Sequence, residues 1–111
     1  MKYTSKIYAK GILKDIENKK IIVYKRDKND EFLIKYNLNQ KDIEEITYGL
    51  TENHFKEKIL NLDKKIITKY LYVFKVSINL NDGYGMISKY VYIKICEIKK
   101  GILVVSLHED E

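Results

Sequence analysis

Apolar and polar positions alternate most regularly near the C-terminus. Over residues 89–111, two apolar runs flank Lys99, Lys100 and Gly101, a turn-forming segment. In the first run Val91, Ile93 and Ile95 fall on one face, and Tyr90, Tyr92 and Lys94 on the other. In the second, Leu103, Val105 and Leu107 share a face, and Ile102, Val104, Ser106 and His108 share the opposite one, because side chains alternate along a strand. A three-residue loop that closes Ile98 on Ile102 puts Gly101 at the left-handed position such loops often need. Counting outward from it, Lys94 faces Ser106 and Tyr92 faces His108. A two-residue loop that closes Lys99 on Ile102 pairs Ile95 with Ser106 and mixes the faces. The pattern therefore predicts a phenol, an ammonium, a hydroxyl and an imidazole clustered on one sheet face. A solvated sheet face of ordinary polar residues gives the same alternation.

Upstream the period changes. Residues 4–18 read as an amphipathic helix capped by Thr4 or Ser5, with Ala9, Ile12, Leu13 and Ile16 on one side and Lys6, Lys10 and Lys14 on a solvated other. Residues 20–25 read as a short strand, 26–30 as a polar connection and 31–36 as a short helix. The clearest helix is 39–48: Asn39 is its N-cap, Asp42 lies near the positive dipole end, and Leu38 with Ile43 forms a hydrophobic staple. Ile43, Ile46 and Leu50 face inward and Gly49 ends the helix. Residues 51–55 form a turn, and 56–58 suit helix or strand equally. His54 reads as a surface residue. Residues 66–80 are strand-rich, with Leu71, Tyr72, Val73, Phe74 and Val76 running almost continuously, as in a central strand buried on both faces. A turn at 81–85 precedes the last hairpin. Helices first and an antiparallel meander after them define an α+β fold, with N-terminal helices on one face of a mostly antiparallel sheet.

Composition narrows the possibilities. At 111 residues the chain is one domain, 1–111, with a modest core, and its 45% hydrophobic content excludes a disordered chain. No apolar run reaches membrane-spanning length and the N-terminus has no signal-peptide core, so a cytoplasmic protein without membrane contact is expected. The lone Cys96 excludes an internal disulfide and a multi-cysteine zinc site, and reads as an inert buried thiol. Nothing in the sequence asks for a metal or an organic cofactor. The net charge of +5 favours a polyanionic partner. The 10 tyrosines, several beside lysines, suit nucleic-acid contact, where rings stack on bases and ammonium groups meet phosphates.

Several segments resemble one family. Ile46 through Phe55, the Leu71-Tyr72-Val73-Phe74 strand, Tyr92-Ile93-Lys94-Ile95, and the terminal Val104-Val105-Ser106-Leu107-His108-Glu109-Asp110-Glu111 are similar to matching segments of the MqsR-type toxins. These belong to the RelE-like group of small bacterial ribonucleases in toxin–antitoxin pairs. The resemblance covers roughly residues 30–111 and is most specific in the last hairpin. It implies a RelE-like domain that cleaves mRNA, free or on the ribosome, without metal, and that a cognate antitoxin neutralises. It further implies a catalytic set in which Tyr92 and His108 match the family positions. Lys56 and Lys58 flank a third, at which Glu57 stands, and Lys69 is nearest to a fourth. Lys94, Tyr90, Lys69 and Ser106 are the RNA-binding candidates. In such chemistry the RNA 2′-OH attacks the adjacent phosphate, which needs a base, an acid and cations for the phosphoryl oxygens. The competing expectation is a non-catalytic inhibitor, for example phage-encoded, on the same fold. It is motivated by the acidic end Glu109, Asp110 and Glu111, which would repel RNA phosphate.

Overall fold

Two long strands carry the fold, and the structure, a computed structural model, describes residues 2–110 of it. They are β4 (Tyr70–Asn81) and β5 (Met86–Ile98), paired antiparallel from Tyr72 opposite Ile95 to Asn81 opposite Met86. On one side β3 (Phe55–Leu60) pairs with β4, and the two-residue β1 (Lys2–Tyr3) pairs with β3. On the other side β6 (Gly101–Glu109) pairs with β5, and β2 (Ile21–Val23) runs parallel to β6 at the edge. The sheet order is β1-β3-β4-β5-β6-β2. An α+β fold with a mostly antiparallel sheet was expected and is what forms. The strict order of helices and then meander is not, since β1 and β2 lie among the N-terminal helices and take the two edges.

Three helices cover one sheet face: α1 (Ala9–Ile16), α2 (Asp27–Lys35) and α3 (Gln40–Tyr48). Ala9, Ile12 and Ile16 of α1, Phe32 of α2, Tyr36 just after it, and Ile43 of α3 bury against Phe74, Val76, Leu80, Val91, Ile93 and Ile95. α3 starts at the N-cap foreseen, Asn39, and Asp42 adds a return bond, so the two exchange side-chain-to-backbone bonds as a capping box. Residues 4–8 are not α-helical; Ser5 caps a turn of 3-10 helix at Lys6–Tyr8 ahead of α1. Lys6, Lys10 and Lys14 are exposed, as expected of a solvated face.

The connection at 26–30 is instead the start of α2. Asp27 and Asp30 sit in its first turn, where acidic side chains favour a helix N-terminus. Asn29 explains why the helix begins there. It is fully buried and acts as a substitute strand: its amide donates to the carbonyls of Tyr24 (2.9 Å) and Val105 (3.0 Å), and its oxygen accepts from the Leu107 N–H (3.1 Å). β2 pairs with β6 only at Ile102, Leu103 and Val104, so Asn29 serves the β6 edge where β2 has ended.

The last hairpin reaches the foreseen register by another route. Its turn is the pair Lys99 and Lys100, closing Ile98 on Gly101, and the pairing runs through Glu97 with Ile102 to Ile95 with Val104. A bulge then inserts Val105, and beyond it Lys94 faces Ser106 and Tyr92 faces His108. Gly101 is required for a different reason from the one expected. At φ 153° a Cβ there would lie 2.2 Å from the Lys20 carbonyl oxygen, where the chain enters β2.

The bulge also sorts the side chains. Ile102, Val104 and Leu107 join the helix-covered core, whereas Leu103 and Val105 join a second cluster on the opposite face with Leu71, Cys96 and Ile66. Burial pushes the Cys96 thiol up to about 11, in keeping with an inert thiol. β4 begins at Tyr70, not at 66. The Asn61 amide bonds the carbonyls of Asp63, Ile66 and Thr68, holding 61–69 as a loop whose Ile66 closes the second cluster.

Candidate active site

The sheet face without helices carries the foreseen group. Across the strands, Glu57 of β3 lies opposite Val73, Val73 opposite Lys94, and Lys94 opposite Ser106. In the adjacent row Lys75 lies opposite Tyr92 and Tyr92 opposite His108. The rings of Tyr92 and His108 are stacked, with centroids 5.3 Å apart and planes 22° from parallel. His108 is exposed, and Glu57, Tyr92 and Lys94 are half-buried. The Ser106 Oγ is buried, with no hydrogen-bond partner among the described residues. Tyr90 is 58% exposed further along β5, and the Lys75 ammonium lies 4.9 Å from its ring centroid. Alternation in β3, β4 and β5, with the change of parity at the Val105 bulge of β6, places all these side chains together.

Two cavities meet at this group. A shallow one of 340 Å³ is lined by Glu57, Val73, Lys94, Tyr92 and His108. A larger groove of 720 Å³ runs over the β6 edge to α2, where Arg26, Lys28 and Lys35 join Lys94, Ser106 and His108. Glu57, Arg26 and Lys28 were missed as site residues. Glu57 had a signal, since the resemblance drawn from the sequence aligned it, between Lys56 and Lys58, with a catalytic position. Arg26 and Lys28 had none, because only the fold brings the start of α2 to β6.

The acidic end of the chain is compensated. Glu109 accepts from the Tyr36 hydroxyl and from the Lys35 ammonium (2.9 Å), and Lys89 is 3.7 Å away. These donors, Tyr36 first, hold its carboxyl below the usual carboxylate range. Asp110 pairs with Lys75 at 2.7 Å, and this bond raises the Lys75 ammonium above its ordinary value. The expected repulsion of phosphate by Glu109 and Asp110 is therefore offset within the fold. Glu111 lies outside the described residues.

Three expected site residues are elsewhere. Lys58 lies on the helix-covered face, one residue out of phase with Glu57. Its ammonium sits among four tyrosine rings, 4.3 Å from the centroid of Tyr70, 5.3 Å from Tyr8, 5.6 Å from Tyr72 and 5.8 Å from Tyr3. Lys56 is the exposed extra residue of a bulge between Phe55 and Glu57. Lys69 precedes β4, 5.5 Å from the Tyr70 ring, and lines a separate 270 Å³ cavity with Gly11 and Asp15 of α1. His54, by contrast, is local: its Nδ1 accepts from the Thr51 N–H at 3.0 Å.

No family model matches the chain, and neither the curated proteins nor the solved structures contain a match to it. Among the described residues, no three His, Cys, Asp or Glu side chains come together as metal ligands, and no helix is long and apolar enough to cross a membrane. The open face thus offers a carboxylate, an imidazole, an ammonium and a phenol around one cavity. Such a set can move protons and hold an anion.

Proposed function

We propose that this fold is RelE-like, of the MqsR type, and that the chain is the toxin of a type II toxin–antitoxin pair acting as a metal-independent mRNA endoribonuclease. The observation that carries this reading is the grouping of His108, Tyr92, Lys94 and Glu57 around one shallow cavity on the uncovered sheet face. Cleavage proceeds when a 2′-OH attacks the adjacent phosphorus. Glu57 takes the hydroxyl proton, and the bond to the leaving 5′-oxygen breaks as His108 protonates that oxygen. The products are a 2′,3′-cyclic phosphate and a 5′-hydroxyl, with no covalent enzyme intermediate. Lys94 holds the phosphoryl oxygens, which gain charge in the transition state. Tyr92 positions the imidazole through the stack between their rings, and Tyr90 offers an exposed platform for a base. Lys56 and Lys58 have no part in this scheme.

The test is RNA integrity and growth after induction, wild type against His108→Ala. Arrest with RNA loss is expected for wild type alone. His108 is exposed, so its removal should leave the fold intact, and a folded His108→Ala protein that still cuts RNA at the wild-type rate would contradict the scheme.

A second reading, a non-catalytic inhibitor that binds a protein, is favoured by a different observation. Leu62 and Ile67 are 89% and 95% exposed in the loop that closes the second apolar cluster, and exposed apolar side chains can serve as contact points. Tight capture of a protein partner with no RNA loss on expression would support it over the ribonuclease.

A further inference from the structure

We infer that the groove between α2 and the β6 edge is the track for the nucleic-acid backbone on one side of the reacting phosphate, with Arg26 and Lys28 as its phosphate contacts. This rests on the ribonuclease reading for what the adjoining cavity does, but the track itself is a binding site.

The argument is one of charge and edge geometry. Glu31, Glu109 and Asp110 bring three carboxylates to the groove. Lys35, Lys89 and Tyr36 occupy Glu109, and Lys75 occupies Asp110. Arg26, Lys28 and Lys94 pair with no carboxylate among the described residues and outnumber the remaining Glu31, so the groove carries an excess of positive charge. The β6 backbone along the groove does not invite a protein strand, because Asn29 already takes the Val105 carbonyl and the Leu107 N–H. Arg26 and Lys28 are both exposed at the start of α2, and an arginine fork and an ammonium suit phosphate oxygens. The groove is continuous with the cavity at His108, since Tyr92, Lys94 and His108 line both. A strand with its reacting phosphate at Lys94 therefore has its next phosphates over β6, beside α2.

The test measures binding of a 2′-O-methyl RNA oligonucleotide, which lacks the attacking hydroxyl, across a range of salt concentrations. Each lost phosphate contact flattens the log–log salt slope by about 0.7 for a single strand, so Arg26→Gln with Lys28→Gln should flatten it by about 1.4. Lys10→Gln with Lys14→Gln, on the solvated side of α1, should leave it unchanged. With cleavable RNA the groove pair should raise KM and spare kcat. An unchanged slope in the groove pair, an equal loss in the α1 pair, or no binding by wild type overturns the track. Groove-dependent binding by a wild type that cuts no RNA keeps the track and overturns the ribonuclease reading. Cleavage by wild type with an unaffected groove pair does the reverse.

Discussion

Lys58 and Lys94 sit in strands separated only by β4, yet they lie on opposite faces of one sheet and meet different surroundings. Lys58 is turned toward the helices and held among four tyrosine rings from three parts of the chain. Lys94 is turned to the open face, between Val73 and Ser106 and beside His108. The helix-covered face spends its cation on joining the N-terminal segment to β3 and β4. The open face leaves its cation at a cavity. Residue type alone does not separate a lysine held among rings from one that lines a cavity; parity in the strand does.

The contrast is tested most severely where the two faces are joined. Asn29 ties α2 to β6 beside the bulge that turns Ser106 and His108 outward. Asn29→Ala strands a buried N–H and a buried carbonyl, at about 1–3 kcal/mol each. A loss of about 3 kcal/mol in urea unfolding is expected, with cleavage falling in the same variant. Unchanged stability would mean that β6 is held some other way. Next in size, Lys94→Gln should cost about a hundredfold in kcat, as the loss of one transition-state donor does, while stability moves by less than about 0.5 kcal/mol. Lys58→Met should do the opposite: a stability loss on the order of 1–2 kcal/mol, from cation–π contacts only partly shielded from water, and no change in cleavage. A Lys58 variant that folds normally and fails to cut would erase the distinction between the faces.

The smallest effect is a pH dependence. The Glu109 carboxyl is held below its ordinary value by Tyr36 and Lys35. Its contribution is therefore present above the unfolded carboxylate value of about 4.3 and is lost as pH falls through the lower folded value. Wild type should exceed Glu109→Gln in stability at neutral pH, and the gap should close on acidification. A gap that does not change with pH would show that the ion pairs of Glu109 contribute nothing to the fold.

How much of this was legible depended on whether a signal was local. The helix start at Asn39 and Asp42 is complete within four residues, and its N-cap was read correctly, though the return bond from Asp42 to the Asn39 N–H was not. The pairs Tyr92 with His108 and Lys94 with Ser106 were also read, through an assumed three-residue loop. The tight turn at Lys99 and Lys100 and the bulge at Val105 shift the register in compensating ways, so the outcome survives the wrong route. What stayed hidden was long-range. Asn29 resembles any polar residue after a strand until β6 is seen to need a partner 76 residues away. Lys58 entered as a site residue through the family resemblance, and β3 has no clean alternation at its start, where Lys56 forms a bulge, to show which face Lys58 takes. The +5 charge pointed to a polyanion, but where the uncompensated cations lie follows only from which acids the fold pairs.

The most direct measurement is a cleavage assay on single-stranded RNA with a divalent-metal chelator present, comparing wild type with His108→Ala and with Glu57→Gln. All three should melt alike. Wild type should release fragments ending in 2′,3′-cyclic phosphate, and each variant should fall by about 10²–10⁴-fold, the usual worth of a general acid or base. Wild-type protein that leaves the RNA whole, or variants that cut it at the wild-type rate, would contradict a catalytic role for the open face.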